Sequence, residues 1–109
     1  MTQALVVLTT LPEYASALKL AEDLAGAGLA ACVNILAPMT SVYEWEGKLE
    51  KGQEHQLVIK TSIARYPEVE ARIRRDHPYE LPEIIALPVA TGLGAYLDWI
   101  ATQTLKSIS

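Results

Sequence analysis

The chain has 109 residues, half of them hydrophobic and a fifth charged, with a formal net charge of −4. That length builds one hydrophobic core, so residues 1–109 are read as one domain. The acidic balance excludes a nucleic-acid binder, which masses Lys and Arg against phosphates, and the single Cys32 excludes an internal disulfide and fits a reducing cytoplasm.

Met1-Thr2-Gln3 lacks the charged start and cleavage pattern of a signal peptide, so none is expected. Leu5 to Leu8 is a short apolar run that predicts a buried strand. Thr10 and Glu13 then stand in capping-box spacing with Pro12 between them, predicting a helix that starts there. Tyr14, Ala17, Leu18, Ala21 and Ala25 follow at helical spacing, and Gly26 and Gly28 offer a left-handed end. Leu24 to Tyr43 carries no charge over about the length of a membrane span, but Gly26, Gly28, Asn34 and Pro38 break it, so no span and no membrane partner is expected.

Ala30 to Leu36 reads as a second strand, interrupted near Pro38 and resuming at Thr40. Gly47 supplies a turn, and Leu57, Ile59 and Thr61 alternate with Gln56, Val58 and Lys60 at period two. The stretch from Thr40 to Thr61 therefore predicts a long antiparallel hairpin, longer than so small a domain covers by itself, which points to partner subunits. Pro67 opens a second helix, with Glu68 and Glu70 early and Arg72, Arg74 and Arg75 late, an order that suits the macrodipole and offers Glu68–Arg72 and Glu70–Arg74 pairs. Tyr66, Val69 and Ile73 form its apolar stripe, and His77 continues that stripe before Pro78. Glu83 to Val89 predicts a last strand near an edge, because Pro88 lacks a donor. Leu93 to Leu105 predicts an amphipathic helix. The order places the chain in the α+β class as a ferredoxin-like β-α-β-β-α-β sandwich with an extended hairpin and a C-terminal helix. Both core helices cover one sheet face, and the naked face calls for another subunit.

Several motifs now stand in register: Cys32-Val33-Asn34, Thr40-Ser41-Val42-Tyr43 with Trp45 and Gly47-Lys48, Ile59-Lys60-Thr61, His77-Pro78-Tyr79-Glu80 with Pro82-Glu83-Ile84-Ile85, and Tyr96-Leu97 with Trp99. Together they resemble the CutA divalent-cation tolerance family across essentially the whole chain. The resemblance implies a tight homotrimer joined through the hairpins, as in the nitrogen-regulatory signalling trimers. It also implies a role in tolerance to copper and other divalent metals. Metal ligands proposed for some members are a first-strand cysteine and two adjacent histidines before Pro-Tyr. This sequence has Thr9 and Thr10 on the first strand and Asp76 before His77, so one of those three ligands is retained.

His77 is the best metal candidate for Cu or Zn, with Glu80 and Glu83 three and six residues on. The competing reading, which one His with nearby carboxylates favours, is that His77 closes the last helical turn and hydrogen-bonds a neighbour. Cys32, between Ala31 and Val33, reads as a small buried hydrophobe before a soft-metal ligand, and His55 reads as solvent-facing. Lys60 faces away from Ile59 and is expected in a small-ligand cleft between subunits with Trp45, Tyr79 and Glu83, unless it is a solvated or salt-bridged edge lysine. Tyr43, Trp45 and Ile59 are the expected trimer anchors. No nucleophile–base pair, metal-hydrolase spacing or phosphate-cradling loop is present, and no cofactor is required. The expected function is a non-catalytic, trimeric module that binds a divalent metal or small ligand at subunit interfaces. The alternative is a trimeric scaffold that presents a partner protein, with metal binding incidental.

Overall fold

The computed structural model describes residues 2–105. In chain order the elements are β1 (Ala4–Leu11), α1 (Tyr14–Gly26), β2 (Cys32–Ile35), β3 (Met39–Trp45), β4 (Lys48–Ser62), a 3-10 turn (Ile63–Arg65), α2 (Tyr66–Asp76), β5 (Ile85–Pro88) and α3 (Gly94–Leu105). All strand pairs are antiparallel, in the order β2-β4-β1-β5, with β3 paired to the outer part of β4. The architecture is the expected α+β arrangement, and Pro88 does lie on the edge strand.

The fifteen residues of β4 are the spine of the molecule. From His55 onward β4 pairs with β1, beginning at Leu11↔His55, and from Lys48 to Glu54 it pairs with β3, ending at Met39↔Glu54. Two residues with positive φ, Glu46 at 51° and Gly47 at 79°, make the tight turn between β3 and β4. Those angles are the left-handed pair that a two-residue hairpin needs to match strand twist.

Period-two alternation decides what each face of the sheet meets. Leu5, Val7 and Leu11 on β1 join Leu57 and Ile59 on β4, and all are buried against Ala17, Leu20 and Leu24 of α1 and Val69 and Ile73 of α2. Burial of each large aliphatic side chain contributes about 1.5–3 kcal/mol. Ile59 is 0 % exposed inside this core. It was expected at a subunit interface, and that expectation is corrected: the alternation was sound, but its inward phase falls under the helices of the same chain.

Helix α1 begins differently from expectation. Strand β1 runs on to Leu11, so Thr10 is still paired with Gln56 and cannot cap a helix. Glu13 takes the N-cap position without a side-chain cap bond. The helix end is as anticipated: Gly28 adopts φ 71°, and the Leu24 carbonyl accepts from the N–H groups of Leu29 and Ala30. The charges of α2 also find other partners. Arg72 binds both carboxylate oxygens of Asp23 on α1, at 2.8 and 2.7 Å, Glu68 pairs with Arg65, and Glu70 accepts from Tyr66. Both Arg72 contacts come from the single nitrogen Nη1, a charge-assisted bond across helices that is worth more than a solvated pair on one helix.

Candidate functional site

Where β4 passes from one partner strand to the other, two consecutive polar residues are buried, Glu54 and His55. Glu54 faces a cleft of about 660 Å³. One wall is β3 from Ser41 to Trp45, the other is the loop segment Tyr79–Leu81 with Glu83, and Thr10 and Glu54 line the remainder. Glu54 is 9 % exposed, and its Oε2 accepts from the Thr10 hydroxyl at 3.1 Å and the Tyr79 hydroxyl at 3.2 Å. Burial, and next the neighbouring Glu54 carboxylate, raise the Tyr79 phenol above the ordinary tyrosine range. Tyr79 therefore stays a hydrogen-bond donor at neutral pH. Gln56 reaches Glu83 Oε2 at 3.5 Å from the next position on the same, open face of β4.

His77 sets the position of the loop. Its Nδ1 lies 3.1 Å from the Tyr79 backbone N–H and its Nε2 lies 2.6 Å from the Thr10 carbonyl. An N–H can only donate and a carbonyl can only accept, so the ring is the tautomer protonated on Nε2. The His77 and Tyr79 rings are 4.8 Å apart at 52°. Both ring nitrogens are engaged, which leaves no lone pair for a metal. His77, Glu80 and Glu83 are accordingly not drawn to one point, and among the described residues no group of three His, Cys, Asp or Glu side chains is placed to hold a metal ion. Within one chain these residues do not fit the metal site anticipated for them. The hydrogen-bonding role for His77 is the one realised.

The expected ligand cleft is partly assembled. Trp45, Tyr79 and Glu83 line one space, together with Tyr43 and Glu80. Lys60 does not line it. Its Nζ donates to Asn34 Oδ1 on β2, and it sits four residues beyond Gln56, about 13 Å along the strand. Cys32, paired directly with Lys60, is half-buried on that same open face. His55 is not solvent-facing: it is buried, its Nδ1 hydrogen-bonds the Leu36 carbonyl at 3.0 Å, and Tyr14 covers it edge-on at 5.6 Å. Tyr43 and Trp45, expected at an interface, are about half exposed in the single chain. Sequence reasoning missed Thr10 and Glu54. The only signal was the polar run Gln53-Glu54-His55-Gln56 inside a strand whose apolar alternation had yet to begin.

Residues 5–103 match the family of the CutA1 divalent ion tolerance protein. The divalent-cation tolerance protein CutA of Thermus thermophilus is 43% identical over 99 residues, covering 91% of this chain and 96% of its own. The crystal structure of CutA from Xylella fastidiosa superimposes with a TM-score of 0.92 at 40% identity, covering 94% of this chain and 99% of its own. A protein of Archaeoglobus fulgidus, described as the periplasmic divalent cation tolerance protein CutA, superimposes with a TM-score of 0.89 at 36% identity, covering 93% and 98%.

Proposed function

The chain belongs to the CutA divalent-cation tolerance family, and on that premise we propose that it is a non-catalytic binding module whose ligand is held in the cleft between the hairpin and the Tyr79–Glu83 loop. One observation carries this reading. The cleft lining includes Glu44, Glu54, Glu80 and Glu83 and no Lys, Arg or His. Such a space concentrates cations, whether Cu²⁺, Zn²⁺ or a small cationic molecule, because like-signed charges around a low-dielectric wall add their fields. The lining holds no Cys or His, and its Thr10 and Tyr79 hydroxyls are both engaged with Glu54, which favours binding over turnover.

The module works as a cytoplasmic homotrimer in this reading. Val42, Tyr43, Trp45 and Leu49 stand exposed along a hairpin that no described helix covers, and a second copy is what buries such a stretch. The same exposed residues favour the second reading, a trimeric scaffold that presents a partner protein.

The test is growth of a copper-sensitive bacterial host at elevated Cu²⁺. The wild-type chain restores growth, and Glu80→Gln/Glu83→Gln loses the effect at equal protein level. No restoration by the wild type ends the tolerance reading, and full restoration by the variant moves it away from the cleft.

A further inference from the structure

Helix α3 is attached to its own chain by very little. Of its twelve residues only Ile100 and Thr104 are buried, while Tyr96, Trp99 and Leu105 are exposed. Asp98 is its only charged residue, and among the described residues it forms no ion pair. The underside is loosely filled: a space of about 310 Å³ is lined by Leu97, Asp98 and Ala101 of the helix and by Gln3, Ala4 and Ser62 at the end of the sheet. One polar contact holds the far end of the helix. Arg65, in the 3-10 turn, donates from Nε to the Thr104 carbonyl at 2.7 Å. A cation at a helix C-terminus satisfies an orphan carbonyl and suits the macrodipole, and α3 has no basic residue of its own in its last turn.

This latch is strong but incomplete. Arg65 is 7 % exposed and its Nη1 pairs with Glu68 at 2.8 Å, yet among the described residues its buried Nη2 has no hydrogen-bond partner. Opening the helix returns that nitrogen to water, which offsets part of the Thr104 bond that is lost. The near end is free to turn. The chain enters α3 from β5 through Gly92-Leu93-Gly94, and neither a positive φ nor a close neighbour demands glycine at Gly94. What that residue contributes is backbone freedom.

We propose that α3 is a hinged strap, opening from the sheet as one unit about Gly92-Leu93-Gly94 with Arg65 as its latch. It is independent of the cleft, which lies at the other end of β1. Closed, the strap covers the last rung of the open sheet face, the Ala4↔Ser62 pair. Open, it adds that rung, and Ile100 with it, to the uncovered surface.

Amide hydrogen exchange on the full-length protein, in the assembly it forms, is the test. The amides of Asp98 to Thr104 are expected to exchange together, and at least about tenfold faster than those of Leu57 to Thr61 in β4. Arg65→Met keeps the apolar stem and removes the donors. It is expected to speed α3 by about a further tenfold and to leave Leu57 to Thr61 unchanged. Gly94→Ala is expected to slow α3 about two- to fivefold, again selectively. Exchange of α3 at the β4 rate in the wild type overturns the proposal, as does a variant that moves both segments alike or neither. Should Arg65→Met fail to fold, the Gly94→Ala result decides by itself.

Discussion

The two halves of β4 differ in what surrounds them. From His55 to Ser62 the strand lies between β1 and β2 under two helices, and its inward residues Leu57, Ile59 and Thr61 are completely buried. From Lys48 to Glu54 it has β3 on one side, and Leu49 is 72 % exposed. One strand thus holds a segment buried by its own chain and a segment whose large apolar residue, Leu49, stays mostly exposed. In the proposed trimer, stability and assembly fall to different residues only a few positions apart.

Substitutions that separate the halves come first. Ile59→Ala removes a core side chain and is expected to cost about 2–5 kcal/mol, read as a lowered denaturation midpoint. A loss below about 1 kcal/mol would mean that Ile59 is not the core residue described. In the outer half, Tyr43→Ala/Trp45→Ala is expected to lower the light-scattering mass toward that of one subunit, because it removes the aromatic anchors of the hairpin. A wild-type mass of one 11.9 kDa subunit at micromolar concentration would break the trimer reading itself.

Between the halves, His77→Ala removes both loop bonds and is expected to cost about 1–3 kcal/mol while leaving any Cu²⁺ stoichiometry unchanged. Loss of a saturable copper site in that variant would restore His77 as a ligand. The smallest effect is a pH effect. Tyr79 has a raised folded pKa, so its contribution is complete below about pH 10 and is lost as the pH rises through the folded value. Ultraviolet titration is expected to show a tyrosine ionising above the ordinary range, and Glu54→Gln to bring it down. A wild-type titration with every tyrosine in the ordinary range would contradict the Glu54–Tyr79 contact.

Element order, the long hairpin and the edge strand were legible because each rests on local rules: period-two alternation, glycine at positive φ, proline without a donor. The apolar stripe Val69–Ile73–His77 was legible for the same reason. Pairings set by the third dimension were not. Arg72 finds Asp23 forty-nine residues away, and Thr10 finds Glu54 across forty-four, although each has a plausible neighbour at helical spacing. Ile59 and Lys60 show the limit most directly. Alternation sends them to opposite faces, as read, but which face lies under helices and which stays open depends on the crossover of the whole chain.

The hairpin and the core share one uninterrupted strand, with no hinge between Met39↔Glu54 and Leu11↔His55. Mechanically β4 is a beam anchored at its inner end. Its free end, at Lys48, lies six residues, about 20 Å, from Glu54. A sideways load on the tip is therefore felt as a tilt at Glu54, and since β3 travels with the beam while the loop is pinned through His77, the same tilt changes the width of the gap between Trp45 and Tyr79. Whatever grips the far end of the hairpin also holds the jaw.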